Sequence, residues 1–443
     1  MKKPIKNTAI IILGASGDLT EKKLIPALHT LYKKGEIDNT VAIIGSGRSD
    51  FSTEEFRSKF SIGEDFKAFL HYHQYIQGLR KFVTTLGNFD RFIFFFALPP
   101  SVYTGVTKEI YNEGFRENSN LIIEKPFGRD YESARELNKT LLTYYKESQL
   151  YRIDHYLAKE AVQNILVFRF GNLMFHPIWN SNYIESIQIN GFEDVGVGKR
   201  SQYFDKTGII RDMVQNHLLQ MLALVTMDPP VSLEAEDIRV QKKNLLRAVE
   251  LHSSTRLQYE GYRDTEGVDP ESNTETYAEL KLYINNYTWS GMPVYIRTGK
   301  ALPRKGTEIG IRLKKIPRIL FNKEDKLNPN IILFRIQPAE GIIVDLSSKI
   351  PGSDMGITTT QMNFCYRSSF QEEIPEAYQK LLLDALREDQ TLFVSSEETE
   401  LAWKKITPAL DKGDCGTYAQ GSVPDSCLNV DWIDFDNYQA ACS

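Results

Sequence analysis

The chain has little cysteine, and none of it in a ligand-binding arrangement. Its four cysteines, Cys365, Cys415, Cys427 and Cys442, all lie in the last quarter of 443 residues. No CxxC pair and no zinc-like grouping with histidine occurs, so neither a disulfide framework nor a metal site is expected. Reduced thiols are the simpler reading. A one-sided charge is also absent. The formal net charge of -5 argues against a general nucleic-acid partner, while leaving room for local basic pockets that take small anions. No apolar run approaches the length of a membrane span. Lys2-Lys3 followed by Ala9 to Leu13 is too short for a secretory core and runs straight into Gly14, so no signal peptide is expected and the cytoplasm is the default. Internal repeats and low-complexity segments are missing as well. What is present is an ordinary globular composition, 42% hydrophobic and 25% charged. The length exceeds what one core serves, so two or three domains are expected.

The first third alternates strand-like and helix-like segments, the pattern of a parallel sheet covered by helices. Thr8 to Leu13, Val41 to Ile44, Phe92 to Leu98 and Leu121 to Ile123 read as buried strands. Leu19 to Lys34 and Tyr131 to Glu147 read as helices. Beyond a boundary near Tyr151 to Asp154, helices near Lys159 to Phe168 and Ile209 to Met227 precede a series of strands. Ile184 to Asn190, Thr276 to Ile284, Thr307 to Leu313 and Ile331 to Ile336 belong to that series. The expected fold is therefore α/β plus α+β. A Rossmann-type dinucleotide-binding domain over residues 1–152 precedes a larger domain over 153–443, built on a mainly antiparallel sheet flanked by helices. Asp411 to Ser443 is expected to be loop-rich and loosely ordered.

Gly14-Ala15-Ser16-Gly17-Asp18-Leu19 sits between the first strand and the first helix, where glycines let a backbone approach a pyrophosphate and a helix N-terminus offers free N–H groups. The match to G-x-G-x-x-G is incomplete, and a purely structural corner glycine is the plain alternative. At the end of the second strand, Gly45-Ser46-Gly47-Arg48-Ser49 stands where an NAD site would place an acidic residue. An arginine with small hydroxyl neighbours suits a 2′-phosphate, which favours NADP.

Three further segments carry candidate chemistry. Glu124-Lys125-Pro126 closes the last strand of the nucleotide domain, beyond the carboxyl ends of the strands, where Lys125 meets nicotinamide and substrate; the proline is a candidate cis residue. Arg152 to Lys159 contains His155 and Lys159, four apart. With a helix starting near Asp154 the two would share its first turn and make an anion site, against the alternative of a solvated basic face. In the stretch Gly208 to Leu218, Ile210, Val214 and Leu218 continue through Met221 and Val225 as one apolar stripe, with His217 at its edge. A satisfied core histidine is the ordinary explanation. The polar residues beside it, Asp212, Gln215, Asn216 and Gln220, point instead to a base prepared for an alcohol proton.

The segments GASGDLT, ALPPSVY, IIEKPFGRD, YRIDHYLAKE, YFDKTGIIRDMVQNHLLQML, TETYAEL and YIRTGKAL occur in this order. Together, from about Ile10 to about Pro424, they closely resemble the glucose-6-phosphate dehydrogenase family. The resemblance implies oxidation of the C1 hydroxyl of glucose 6-phosphate to the 6-phosphogluconolactone with hydride transfer to NADP. It implies that His217 takes the hydroxyl proton and that Asp154, rather than Asp212 on the same helix, orients the imidazole. On a helical wheel Asp212 lies well round from His217. By the same resemblance His155, Tyr156 and Lys159 bind the phosphate, Glu193 and Asp212 contact sugar hydroxyls, and Lys300, Lys305 and Gln337 complete the substrate set. Lys125 touches both ligands, and the coenzyme residues are Gly14, Ser16, Gly17, Asp18, Leu19, Arg48 and Tyr103. A homodimer or homotetramer is implied, with no nucleic-acid or membrane partner.

Departures from the family pattern are specific. Ala158 replaces a usual glycine, a change that a helix accepts readily. Gly198 to Gln202 replaces a loop commonly reading Glu-Gly-Arg-Gly-Gly. The basic cluster of a second, structural NADP site is not evident, and none is expected. The competing readings are a sugar oxidoreductase of the glucose–fructose or inositol dehydrogenase type, which needs no phosphate cluster, and a non-catalytic NADP sensor.

Overall fold

The computed structural model describes residues 3–316, 327–353, 356–370, 375–410 and 415–442. They form two compact units. The first comprises Met1–Ala158 with Pro230–Val240 and Ile374–Glu400, and the second Lys159–Pro229, Gln241–Glu373 and Leu401–Ser443.

The first unit is built on seven strands: β1 (Thr8–Leu13), β2 (Ala42–Gly47), β3 (Leu70–Gln74), β4 (Arg91–Phe96), β5 (Ser119–Ile123), β6 (Leu150–Ile153) and, far along the chain, the two-residue Phe393–Val394. Their spatial order from β3 is β3-β2-β1-β4-β5-β6, all parallel, with Phe393–Val394 added antiparallel to β6. This is the dinucleotide-binding order, with its reversal point between β1 and β4. The strands are apolar on both faces because both faces are covered. Ile10 and Ile12 point into one buried cluster, and Ala9, Ile11 and Leu13 into the other. The first cluster is completed by Leu381, Leu382, Ala385 and Leu386 of the helix Ala377–Leu386 and by Phe393. A single cut after residue 152 does not describe this unit, because residues from the far end of the chain fill its core.

The second unit carries nine strands: β7 (Ile184–Phe192), β8 (Val249–Tyr259), β9 (Tyr277–Ile284), β10 (Pro293–Gly299), β11 (Gly306–Leu313), β12 (Ile331–Gln337), β13 (Gly341–Lys349), β14 (Ile357–Cys365) and, numbering Phe393–Val394 as β15, β16 (Gly416–Tyr418). They run in the order β14-β13-β12-β11-β7-β10-β9-β8-β16, antiparallel except for the β7–β10 and β8–β16 pairs. The helix over residues 210–226 lies on β7 and β10. A Cβ on Gly191 would stand 3.2 Å from both the Leu218 side chain and the Thr298 hydroxyl, so the glycine lets the helix approach.

The C-terminal stretch is not loose. Residues 411–414 lie outside the described residues, but Ile433, Phe435 and Tyr438 pack on Leu333 and Ile343 of the sheet. The Gln188 amide donates to the Asp431 carbonyl and accepts the Ile433 N–H at 2.7 Å. Buried apolar anchors, paired backbone groups, the short strand β16 and a 3-10 helix over Phe435–Cys442 fix this segment. The reading of four reduced thiols also needs correction: Cys365 is disulfide-bonded, whereas Cys415 and Cys427 are free.

Candidate active site

At the carboxyl end of β1 the chain turns through Gly14, whose φ is +84°. A Cβ there would lie 2.1 Å from the Ala97 carbonyl oxygen, so only glycine fits. The Gly14 and Ala15 N–H groups both donate to the Ser46 carbonyl, and Gly17 closes the turn on Gly14 at 3.0 Å. Ser16, Gly17 and Asp18 are exposed, and the helix beginning at Thr20 follows. Arg48, also exposed, follows β2 directly. A close-approach glycine, an open helix start and a basic side chain at the next strand end fit a dinucleotide carrying an additional phosphate. Tyr103 is different. It has no exposed surface, packs in the core against Phe96, and donates its hydroxyl to the Glu124 carbonyl at 3.0 Å. This bond holds the turn that carries Lys125.

That turn has a cis Lys125–Pro126 bond. Glu124 beside it is pushed up to about 7, chiefly by burial; the Tyr378 hydroxyl and Lys125 pull the other way. Asp154 follows β6 and is buried. Its side chain accepts the Tyr156 N–H at 3.0 Å and its carbonyl accepts the Leu157 N–H. These bonds make a tight turn in place of a helix start, because the aspartate competes for the N–H groups a helix would use. The helix begins only at Glu160, so the expectation that His155 and Lys159 share a first helical turn is wrong. Half-buried His155 instead stacks at a tilt on Tyr156, with centroids 5.1 Å apart. Ala158 also lies outside a helix, and its methyl fills the first unit's core.

In the second unit Lys159 has its pKa lowered, first by burial, with Lys305 lowering it further and Glu340 opposing. The Glu340 carboxyl is raised by burial, with Lys159 and the Ala161 N–H opposing. Gln337 pairs with Thr307 across β12 and β11, its amide donating to the Thr307 hydroxyl at 3.1 Å. The structure thus gathers Lys159, Lys305, Glu340 and Gln337 at one end of the sheet.

His217 is buried on the helix over residues 210–226. Over Ile210–Leu218 this helix is wound wider than an α-helix, as in the Leu219 N–H bond to the Val214 carbonyl five residues back. In that winding residues five apart lie much closer to one face than the α-helical period puts them. The argument that Asp212 lies well round the wheel from His217 therefore fails, since it assumed the α-helical period. The helix start is held by Glu275, whose carbonyl accepts the Ile209 N–H and whose carboxylate accepts the Ile210 N–H at 3.1 Å. Just beyond the end of β10, Lys300 forms an ion pair with Glu193, the residue that follows β7.

With this geometry in view, comparisons with known proteins are decisive. Residues 11–164 match the family model "Glucose-6-phosphate dehydrogenase, NAD binding domain", and residues 166–429 match "Glucose-6-phosphate dehydrogenase, C-terminal domain". This chain belongs to the glucose-6-phosphate dehydrogenase family. A glucose-6-phosphate 1-dehydrogenase of Dictyostelium discoideum is 40% identical over 91% of this chain and 88% of its own length. That of Bacillus subtilis is 37% identical over 94% of each. A solved glucose-6-phosphate dehydrogenase in complex with its substrate glucose-6-phosphate superposes with a TM-score of 0.90 at 35% identity, covering 97% of both chains.

Within the glucose-6-phosphate dehydrogenase frame, reading the sequence passed over several groups that the structure brings forward. Glu124 and Glu275 lie inside the IIEKPFGRD and TETYAEL segments, and that proximity was the available signal. Glu340 lies just beyond Gln337 and had no motif to mark it. The altered loop at Gly198 leads into a short helix, Ser201–Asp205, whose Ser201 hydroxyl donates to the Glu266 carbonyl.

Proposed function

We propose that this chain oxidises the C1 hydroxyl of D-glucose 6-phosphate to 6-phospho-D-glucono-1,5-lactone with NADP, the first oxidative step of the pentose phosphate pathway. When bound, NADP accepts the hydride released from C1. His217 removes the C1 hydroxyl proton, and Asp154 is the carboxylate that orients the ring and balances its charge. His155, Tyr156 and Lys159 take the phosphate. Glu193 and Asp212 accept from sugar hydroxyls, while Lys300, Lys305 and Gln337 complete the substrate contacts. Lys125 serves both ligands. Gly14, Ser16, Gly17, Asp18 and Leu19 receive the pyrophosphate end, and Arg48 takes the 2′-phosphate.

The observation that carries the sugar-phosphate reading is the pair Lys159 and Lys305: Lys159, already disfavoured as a cation by burial, has the Lys305 charge near enough to disfavour it further. An incoming dianion relieves that repulsion. Turnover of glucose and glucose 6-phosphate, followed by absorbance of reduced coenzyme in parent and His217→Asn proteins, tests the reading. We expect strong preference for the phosphorylated sugar, and a loss of about 100-fold or more in kcat for the variant. Equal efficiency with glucose, or a variant of parental kcat, overturns it. A homodimer or homotetramer in the cytoplasm belongs to the same proposal, and sedimentation measures the assembly.

A further inference from the structure

β10 ends at Gly299, and the next three residues make an unusual turn. Ala301 has φ +49°, the left-handed region that residues with a side chain seldom occupy. Neighbouring segments bind the N–H groups of all three residues and the carbonyls of Gly299, Lys300 and Ala301. The Lys300 N–H donates to the Thr276 carbonyl at 2.9 Å, the Ala301 N–H to Val195 at 3.0 Å and the Leu302 N–H to Glu193 at 3.0 Å. The Glu193 N–H returns a bond to the Gly299 carbonyl at 2.9 Å.

The two remaining carbonyls are taken by the C-terminal segment. The Gly421 N–H donates to the Ala301 carbonyl at 2.7 Å, and the Tyr418 hydroxyl donates to the Lys300 carbonyl. Tyr418 is buried in β16, beside Tyr277 and Tyr259. The Thr276 hydroxyl accepts the Tyr259 N–H at 2.8 Å and lies 3.2 Å from the Tyr418 oxygen, to which it can donate while the phenol donates to Lys300. Of the two carbonyls in reach of the Tyr418 hydroxyl, that of Lys300 is the nearer, and that of Thr276 stands 3.4 Å away. Burial raises the phenol above its ordinary value, so it stays a donor throughout the working range.

We propose that Tyr418 is a positioning residue: through the Lys300 carbonyl it fixes the turn from which the Lys300 ammonium, paired with Glu193, meets the substrate. A lysine stem is flexible, so the direction of its ammonium depends on the backbone beneath it. The C-terminal segment thus takes part in substrate recognition without touching substrate. The inference rests on the reading above that Lys300 contacts glucose 6-phosphate.

Three full-length proteins test it: parent, Tyr418→Phe and Lys300→Ala. The phenylalanine keeps the ring and removes only the donor. We expect its KM for glucose 6-phosphate to rise about fivefold, the effect of one hydrogen bond, with kcat, KM for NADP and thermal midpoint unchanged. Lys300→Ala should raise the same KM further. If Tyr418→Phe loses its fold, Thr276→Val, which removes the hydroxyl that can donate to the phenol, must show the same split. A Lys300→Ala defect beside parental kinetics in Tyr418→Phe overturns the positioning role alone. So does a KM rise that comes only with a lowered midpoint and a matching rise for NADP. Parental KM in Lys300→Ala overturns the reading of Lys300 and this inference with it.

Discussion

Glu124 shows how one side chain at a strand end acquires a property its type does not have. The carboxyl sits under the Lys125–Pro126 turn, where burial lifts it from 4.5 to about 7 against the pull of the Tyr378 hydroxyl and of Lys125. Its folded value lies above its unfolded one, so between about 4.5 and about 7 the folded chain keeps a proton that the unfolded chain has lost. Stability from this group is therefore full below the lower value and falls as pH rises through that window. Glutamine keeps the shape and accepts the same hydroxyl without titrating. Denaturant midpoints of parent and Glu124→Gln, followed from pH 4.5 to pH 7.5, should diverge in favour of the variant as pH rises. Parallel curves would show that the carboxyl is ionised in the fold.

At the scale of an element, the helix over residues 210–226 is fixed at both ends by side chains from elsewhere in its own unit. Beyond the Glu275 cap at its start, the carbonyls of its last turn all find donors. Arg169 donates to Leu224 at 2.6 Å and to Met227 at 2.7 Å, Trp179 to Val225 at 2.7 Å, and Trp289 to Thr226 at 2.7 Å. A helix end buried without such partners is costly, and the proposed role of His217 as a base requires that its helix not drift. Trp289→Phe keeps most of the buried ring and strips one donor from the Thr226 carbonyl. It should cost about 1–3 kcal/mol in equilibrium unfolding, and stability equal to the parent's would show that the carbonyl finds another donor. Elements of this kind were legible in part. Ile210, Val214, Leu218, Met221 and Val225 are all buried, as the stripe implied. The winding was not legible, since a period read off apolar positions assumes α-helical hydrogen bonding. Strands were legible where both faces are buried, as in Thr8–Leu13 and Ser119–Ile123, because the whole run is apolar. Ile357–Cys365 is exposed along most of its length, so its sequence carries no apolar alternation and it went unread. The motif segments carry the proposed site residues, whereas Tyr418 lies in a tail with no periodicity, and only its hydrogen bond reveals it.

For the whole molecule, the consequential fact is that the first unit is discontinuous in sequence. Its sheet and five parallel crossovers lie within the first 158 residues, which would ordinarily suggest an independently folding module. Yet one of its two apolar clusters is closed by Leu381, Leu382, Ala385, Leu386 and Phe393. The outer edge of β6 is paired by Phe393–Val394. Arg91 donates to the Leu386 carbonyl at 2.8 Å, which ties the end of that helix to the sheet. A fragment of residues 1–158 would keep the turn at Gly14 and lose this cover, exposing apolar side chains and an unpaired strand edge. It should bind a hydrophobic dye strongly, lack near-ultraviolet dichroism and unfold without cooperativity. The same fragment joined through a flexible linker to residues 375–400 should regain a cooperative transition. If residues 1–158 alone unfold cooperatively without dye binding, the returning segment decorates the unit and is not part of its core. If the joined form stays molten, the unit depends on more of the chain than these two pieces.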